Sequence, residues 1–230
     1  MMEDAAALMN SAVTKLENLE GRNRWMFEYI FGSNDPATIR SDFQSTMGVI
    51  NIGREMRISC EDPTIPDPTC LGRSLSAYMP VPDPKSKGIM FCQAYIKTSQ
   101  VALGSLPLDL LTVTPSSNTG QGPRAAHLED IYRLSGPLLL HEIMHWASPL
   151  YRKSNDLSVA GPACGWVGVF ELGRDNPGSA RNDADSYEML AIALYFDKYD
   201  WSTGFARDPN AMDIDKRKLL RVRRLPSIAM

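Results

Sequence analysis

The pentapeptide His141-Glu142-Ile143-Met144-His145 constrains this chain more than any other feature of its sequence. It uses two of the three histidines present among 230 residues. Leu138-Leu139-Leu140 precedes it, and Ser135-Gly136-Pro137 supplies a helix start, since proline is tolerated in a first turn. The apolar run up to Ala147, ahead of Pro149, predicts a buried helix. Residues four apart on a helix share a face, so both imidazoles can meet one zinc ion at about 2.0–2.1 Å. Glu142 then falls beside the ion rather than on it. That position suits a carboxylate that takes a proton from an activated water and passes it to a leaving amine. Two incidental histidines are the alternative. Chance gives such a match in roughly one sequence in several hundred of this histidine content.

A catalytic zinc takes three protein ligands and keeps one position open. The third histidine, His127, lies upstream of the motif. A histidine six residues after the second one, as metzincins have, is absent, because Tyr151 stands there. His127 reads as a loop or helix-end residue, and Cys164 is the single cysteine that follows the motif. A carboxylate is the favoured third ligand, and the downstream acids are Asp156, Glu171, Asp175, Asp183, Asp185 and Glu188.

Composition removes other classes. Lys plus Arg is 24 against 27 Asp plus Glu, a net charge of −3, so no basic field invites nucleic acid. Apolar stretches fall well short of the roughly 18 residues a membrane span needs. With 43% apolar residues the chain is long enough for one sizeable core. The start MMEDAAALMN has no basic region followed by an apolar one, so it reads as no signal peptide. The four cysteines, Cys60, Cys70, Cys92 and Cys164, form no CxxC pair, and disulfides are favoured over buried thiols.

Along the chain, Leu8, Met9, Ala12, Val13, Leu16 and Leu19 recur at helical spacing over 3–20, with Gly21 as a stop. Trp25 to Phe31 continues this helical region. A second helix enters through Asp35-Pro36 and carries Ile39, Phe43, Met47 and Ile50. Segments near Arg57–Cys60, Leu75–Met79 and Gly88–Phe91 read as three small strands. Residues 104–126 form a Gly/Pro/Ser/Thr-rich loop. Asp183 to Tyr199 reads as a helix with Met189, Ile192, Ala193 and Phe196 on one face. The cluster KRKLLRVRR at 216–224 reads as a solvated helix face rather than a polyanion site.

The runs CEDPTIPDPTC, SAYMPVP, GIMFC, HEIMH and DADSYE, in that order, resemble the deuterolysin-type zinc peptidases, or aspzincins, which include fungal peptidyl-Lys metalloendopeptidases. The resemblance covers roughly residues 56–196. It implies an aspartate third ligand from a GTxDxxYG motif. The matching stretch here is SNDLSVAGPACGW, where Asp156 is the only acid, so the ligand role falls to Asp156. A turn or N-cap role for Asp156 is the alternative. No Gly-Thr precedes it, and Val159 stands where the family has the tyrosine that helps stabilise the oxyanion, so Tyr151 or Tyr187 would have to replace it. The family's NADxxE motif appears as Asp183 to Glu188 and implies that Asp185 and Glu188 bind a substrate lysine. Alternatively Asp185 orients a histidine, Glu188 pairs with a surface lysine, or Asp185 is itself the ligand. The resemblance also suggests a Cys70–Cys92 disulfide, leaving Cys60 for Cys164 or for a partner outside this chain.

The expectation is therefore a single metallopeptidase domain, 1–230, with a helical part at 1–55, a catalytic core at 56–200 and a basic tail at 201–230. The fold class is α+β, zincin-like, with N-terminal helices, a small sheet, the HExxH helix and a following helix. The expected function is a zinc-dependent endopeptidase. One Zn2+ is held by His141, His145 and Asp156, Glu142 is the general base, and Asp185 with Glu188 favours a basic residue after the cut. Its partner is a peptide or protein substrate, with no nucleic acid and no membrane span, and the chain is expected as a secreted monomer. Two alternatives stand: a catalytically inactive zincin-fold binding module or secreted effector, and a cytoplasmic zincin with reduced cysteines.

Overall fold

The computed structural model describes residues 1–51, 57–60, 77–78, 88–91, 103, 126–132, 134–147 and 165–207. Helix α1 (Met2–Glu17) buries Ala5, Leu8, Met9, Ala12 and Leu16, the three-and-four spacing of one helical face. The expected run to residue 20 stops at Glu17, and Gly21 opens the next helix rather than ending the first. Its φ of +54° is a conformation other residues rarely adopt, which lets the chain turn between the two helices. Helix α2 (Gly21–Phe31) buries Met26, Phe27, Ile30 and Phe31. Helix α3 (Pro36–Asn51) begins as Asp35-Pro36 dictates: the Asp35 carboxylate accepts from the Ala37 amide at 3.1 Å and from Thr38 Oγ1 at 3.2 Å.

Three short stretches follow, β1 (Arg57–Cys60), β2 (Ala77–Tyr78) and β3 (Gly88–Phe91). Their backbones pair in the order β1-β3-β2, parallel between β1 and β3 and antiparallel between β2 and β3. The described residues are mostly helical. The expected sheet over the active helix depends on connecting segments outside them, as do the loop at 104–125, Asp156, the cysteine pairings and the cluster at 216–224.

The second half builds α4 (Leu128–Tyr132), α5 (Ser135–Ala147), α6 (Gly165–Asp175), α7 (Pro177–Ala180) and α8 (Ala184–Tyr195). Helix α5 carries the HExxH motif from the predicted start to just before Pro149. Helix α8 is the axis of the core, since every residue from Ala184 to Leu194 is buried. A helix apolar nearly all round has no solvent face to offer, so it sits inside. Helices α1, α2, α5 and α6 all pack on it. Regular helix ends at Tyr195 rather than at Tyr199, and Trp201 then folds back with its Nε1 donating to the Phe196 carbonyl at 3.1 Å. Trp201 and Ala206 are buried.

Helices α1 and α5 approach closely because Gly136 has no side chain. A Cβ there would lie 2.4 Å from Asp4 Cβ. No helix among the described residues is long and apolar enough to cross a membrane.

Candidate metal centre

His141 and His145 occupy successive turns of α5, with ring centroids 4.7 Å apart and planes at 77°. Their Nε2 atoms converge to 3.0 Å. Leu139, Leu140, Ile143 and Met144 on the same helix are buried, which fixes its rotation. His141 and Glu142 are buried and His145 is half-buried, so the site grades from core to surface along one turn.

Helix α8 crosses behind His141. Asp185 Oδ1 lies 2.9 Å from His141 Nδ1, and Glu188 Oε2 lies 3.3 Å from the same nitrogen. The two acids are i and i+3, so one helix face delivers both. They are 1% and 0% exposed, which is costly for carboxylates unless something positive or a hydrogen-bond donor faces them. His141 does so. Burial alone disfavours its imidazolium, but the charge and hydrogen bond of Asp185, joined by Glu188, outweigh that and hold it well above the usual histidine range. Burial likewise pushes Glu188 up to about 8, against the pull of His141 and with the charges of Asp185 and Glu142 adding to the rise.

With Asp185 paired at Nδ1, Nε2 is the nitrogen of His141 that a metal would take once its proton is displaced. Nε2 is the nitrogen turned toward His145. The donor set and its direction therefore fit a metal ion between the two Nε2 atoms. His141, Asp185 and Glu188 also place three ligand-type atoms within 4.8 Å of one another on the Nδ1 side.

No family model matches this chain, and no curated protein matches it. Among solved structures, a zinc peptidase from Grifola frondosa aligns at 14% identity and a TM-score of 0.42, over 84% of this chain and 94% of that one. At that score the likeness is too slight to carry fold or function across.

The structure brings together His141, Glu142, His145, Asp185 and Glu188. Asp156 and Tyr151 lie outside the described residues. His127 sits at the start of α4, where its amide donates to Asp130 Oδ2 at 2.8 Å and its Nδ1 accepts from the Glu129 amide at 3.2 Å. Asp183 caps α8, accepting from the Ser186 amide at 3.0 Å and from Ser186 Oγ at 2.7 Å. Burial and then the Asp185 charge push Asp183 up to about 6, against those Ser186 hydrogen bonds.

Tyr187, one of the two tyrosines considered for the oxyanion, is fully buried and donates its hydroxyl to Asp42 Oδ2 at 2.8 Å. Arg181 clasps the same carboxylate through Nε at 3.0 Å and Nη2 at 3.1 Å. The sequence gives no sign of this triad, because Asp42 looks like an ordinary charged position on a helix and Arg181 like one in a turn between helices.

Proposed function

We propose that this chain is a zinc-dependent endopeptidase of zincin type, with an α+β core. The observation that carries the reading is the convergence of the His141 and His145 Nε2 atoms at 3.0 Å, with carboxylates backing the opposite nitrogen of His141. His141 and His145 would hold the ion, and Asp156, eleven residues past His145, is the proposed third ligand. A zinc ion there supplies Lewis-acid polarisation of a peptide carbonyl and makes water a nucleophile near neutral pH. Glu142 takes the proton of the attacking water and delivers it to the leaving amine, so that water and one amide yield one carboxylic acid and one amine.

Asp185 fits the orienting role best. It fixes the Nδ1 proton of His141 and so aims Nε2. The preference for a basic residue after the cut, which the resemblance attaches to Asp185 and Glu188, gains no support from two buried carboxylates turned onto an imidazole. Secretion and a Cys70–Cys92 disulfide belong to this reading as proposals. A thiol count under denaturing conditions tests them, and four free thiols would favour the cytoplasmic alternative.

The test combines metal analysis with proteolysis of casein. One zinc per chain and cleavage abolished by a chelator are expected. A second reading, a metal-holding module without catalysis, is favoured by the engagement of Tyr187 with Asp42, which leaves the oxyanion role to Tyr151. Stoichiometric zinc with no casein cleavage at any pH would select it.

A further inference from the structure

Asp42 lies on α3, far along the chain from the HExxH motif, yet it is buried and fully committed. Arg181 grips it with two hydrogen bonds, and the Tyr187 hydroxyl adds a third at 2.8 Å. The Tyr187 ring is wedged edge-on by Phe31 at 5.0 Å and Phe43 at 5.3 Å. Its ring and its hydroxyl are thus both held by elements other than α8.

Tyr187 stands between Asp185 and Glu188 in sequence. At 3.6 residues per turn it projects roughly 160° from Asp185 and 100° from Glu188 around the helix axis. The clamp therefore grips α8 on the side away from His141. With side-chain tips about 6 Å from the axis, a rotation of about 20° would carry Asp185 roughly 2 Å. That is enough to break its 2.9 Å contact with His141 Nδ1.

We infer that Asp42 is a positioning residue for the metal centre. Through Tyr187 and Arg181 it fixes the rotation of α8 and so sets Asp185 and Glu188 against His141. The inference rests on the proposed metal site for its functional meaning, but its geometric core concerns the histidine alone. Asp42 and the Tyr187 hydroxyl are buried while Arg181 stays partly exposed, so the guanidinium reaches inward from the surface to hold a carboxylate that the core has enclosed.

The test uses the full chain with two readouts. The first is the His141 ring resonance of the metal-free protein, which reports the Nδ1 hydrogen bond to Asp185. The second is zinc affinity by competition with a chromogenic chelator. Tyr187→Phe keeps the ring and removes only the hydroxyl, and Arg181→Lys provides a second, milder break. Val169→Ala, in the buried face of α6, serves as a control that lowers stability without touching the clamp. Expected for both clamp variants are a shifted His141 resonance and about a 10-fold loss of zinc affinity, with neither change in Val169→Ala. Unchanged resonance and affinity in the clamp variants, whatever their melting temperatures, would overturn the inference. A parent protein that takes up no zinc would remove the proposed function, while the His141 resonance would still decide whether the clamp positions that ring.

Discussion

His141 Nδ1 lies 2.9 Å from Asp185 Oδ1, while Nε2 of the same ring faces His145 Nε2 at 3.0 Å. The contact joins residues 44 positions apart in the chain, on two helices that cross at the core. On the proposed reading the two acids have different duties. Asp185 orients His141 from behind, and Asp156 is the proposed ligand that completes the metal's own shell.

Asp185→Ala and Asp156→Ala should therefore differ. Losing an orienting carboxylate typically lowers metal affinity about 10–100-fold, so Asp185→Ala retains zinc at high zinc concentration. Asp156→Ala loses it. Metal analysis of the two proteins after identical dialysis distinguishes them. Zinc lost outright from Asp185→Ala but kept in Asp156→Ala would make Asp185 the ligand.

Metal uptake should release protons. His141 is held well above the usual histidine range in the metal-free protein, chiefly by Asp185 against the effect of burial. At neutral pH its Nε2 therefore carries a proton that an ion must displace. Zinc affinity then falls as pH decreases, with about one proton released per ion at pH 7. Calorimetry in two buffers of different ionisation heat measures that number. A heat independent of the buffer would contradict it.

Asp183→Asn should stabilise the metal-free protein above pH 6. Asp183 is raised to about 6, so between the ordinary carboxylate range and pH 6 the folded chain binds more protons than the unfolded one. The stability it contributes is full at low pH and lost as pH rises through about 6. Asparagine stays neutral and still caps the helix. The variant should match the parent near pH 4 and exceed it by up to about 3 kcal/mol at pH 7.5. Urea unfolding at the two pH values gives the comparison.

Gly136→Ala should destabilise the fold by about 1–3 kcal/mol. The new Cβ would meet Asp4 Cβ at 2.4 Å, and neither is the end of a flexible side chain. A fall in the urea midpoint of the metal-free protein is expected. A change below about 0.5 kcal/mol would mean that α1 and α5 separate without cost.

The helices were legible because their signals are local. Asp35-Pro36 starts α3 through bonds to residues two and three positions on, and the apolar spacing of α1 declares its buried face. The HExxH pair was legible for the same reason, since one helical turn suffices to bring its rings together. The partners of that pair were not. Whether Asp185 faces a substrate or an imidazole depends on how α8 crosses α5, which no spacing within either helix encodes. The Asp42 and Tyr187 contact spans 145 positions and leaves no pattern in either segment. Gly21 shows the opposite limit: a glycine that ends one helix by composition opens the next by virtue of its positive φ.

The most direct test of the account is Glu142→Gln. Glutamine keeps the size and shape of the side chain and removes the base. The account predicts a protein that binds one zinc as tightly as the parent and cleaves no casein. Proteolysis retained in Glu142→Gln would contradict it.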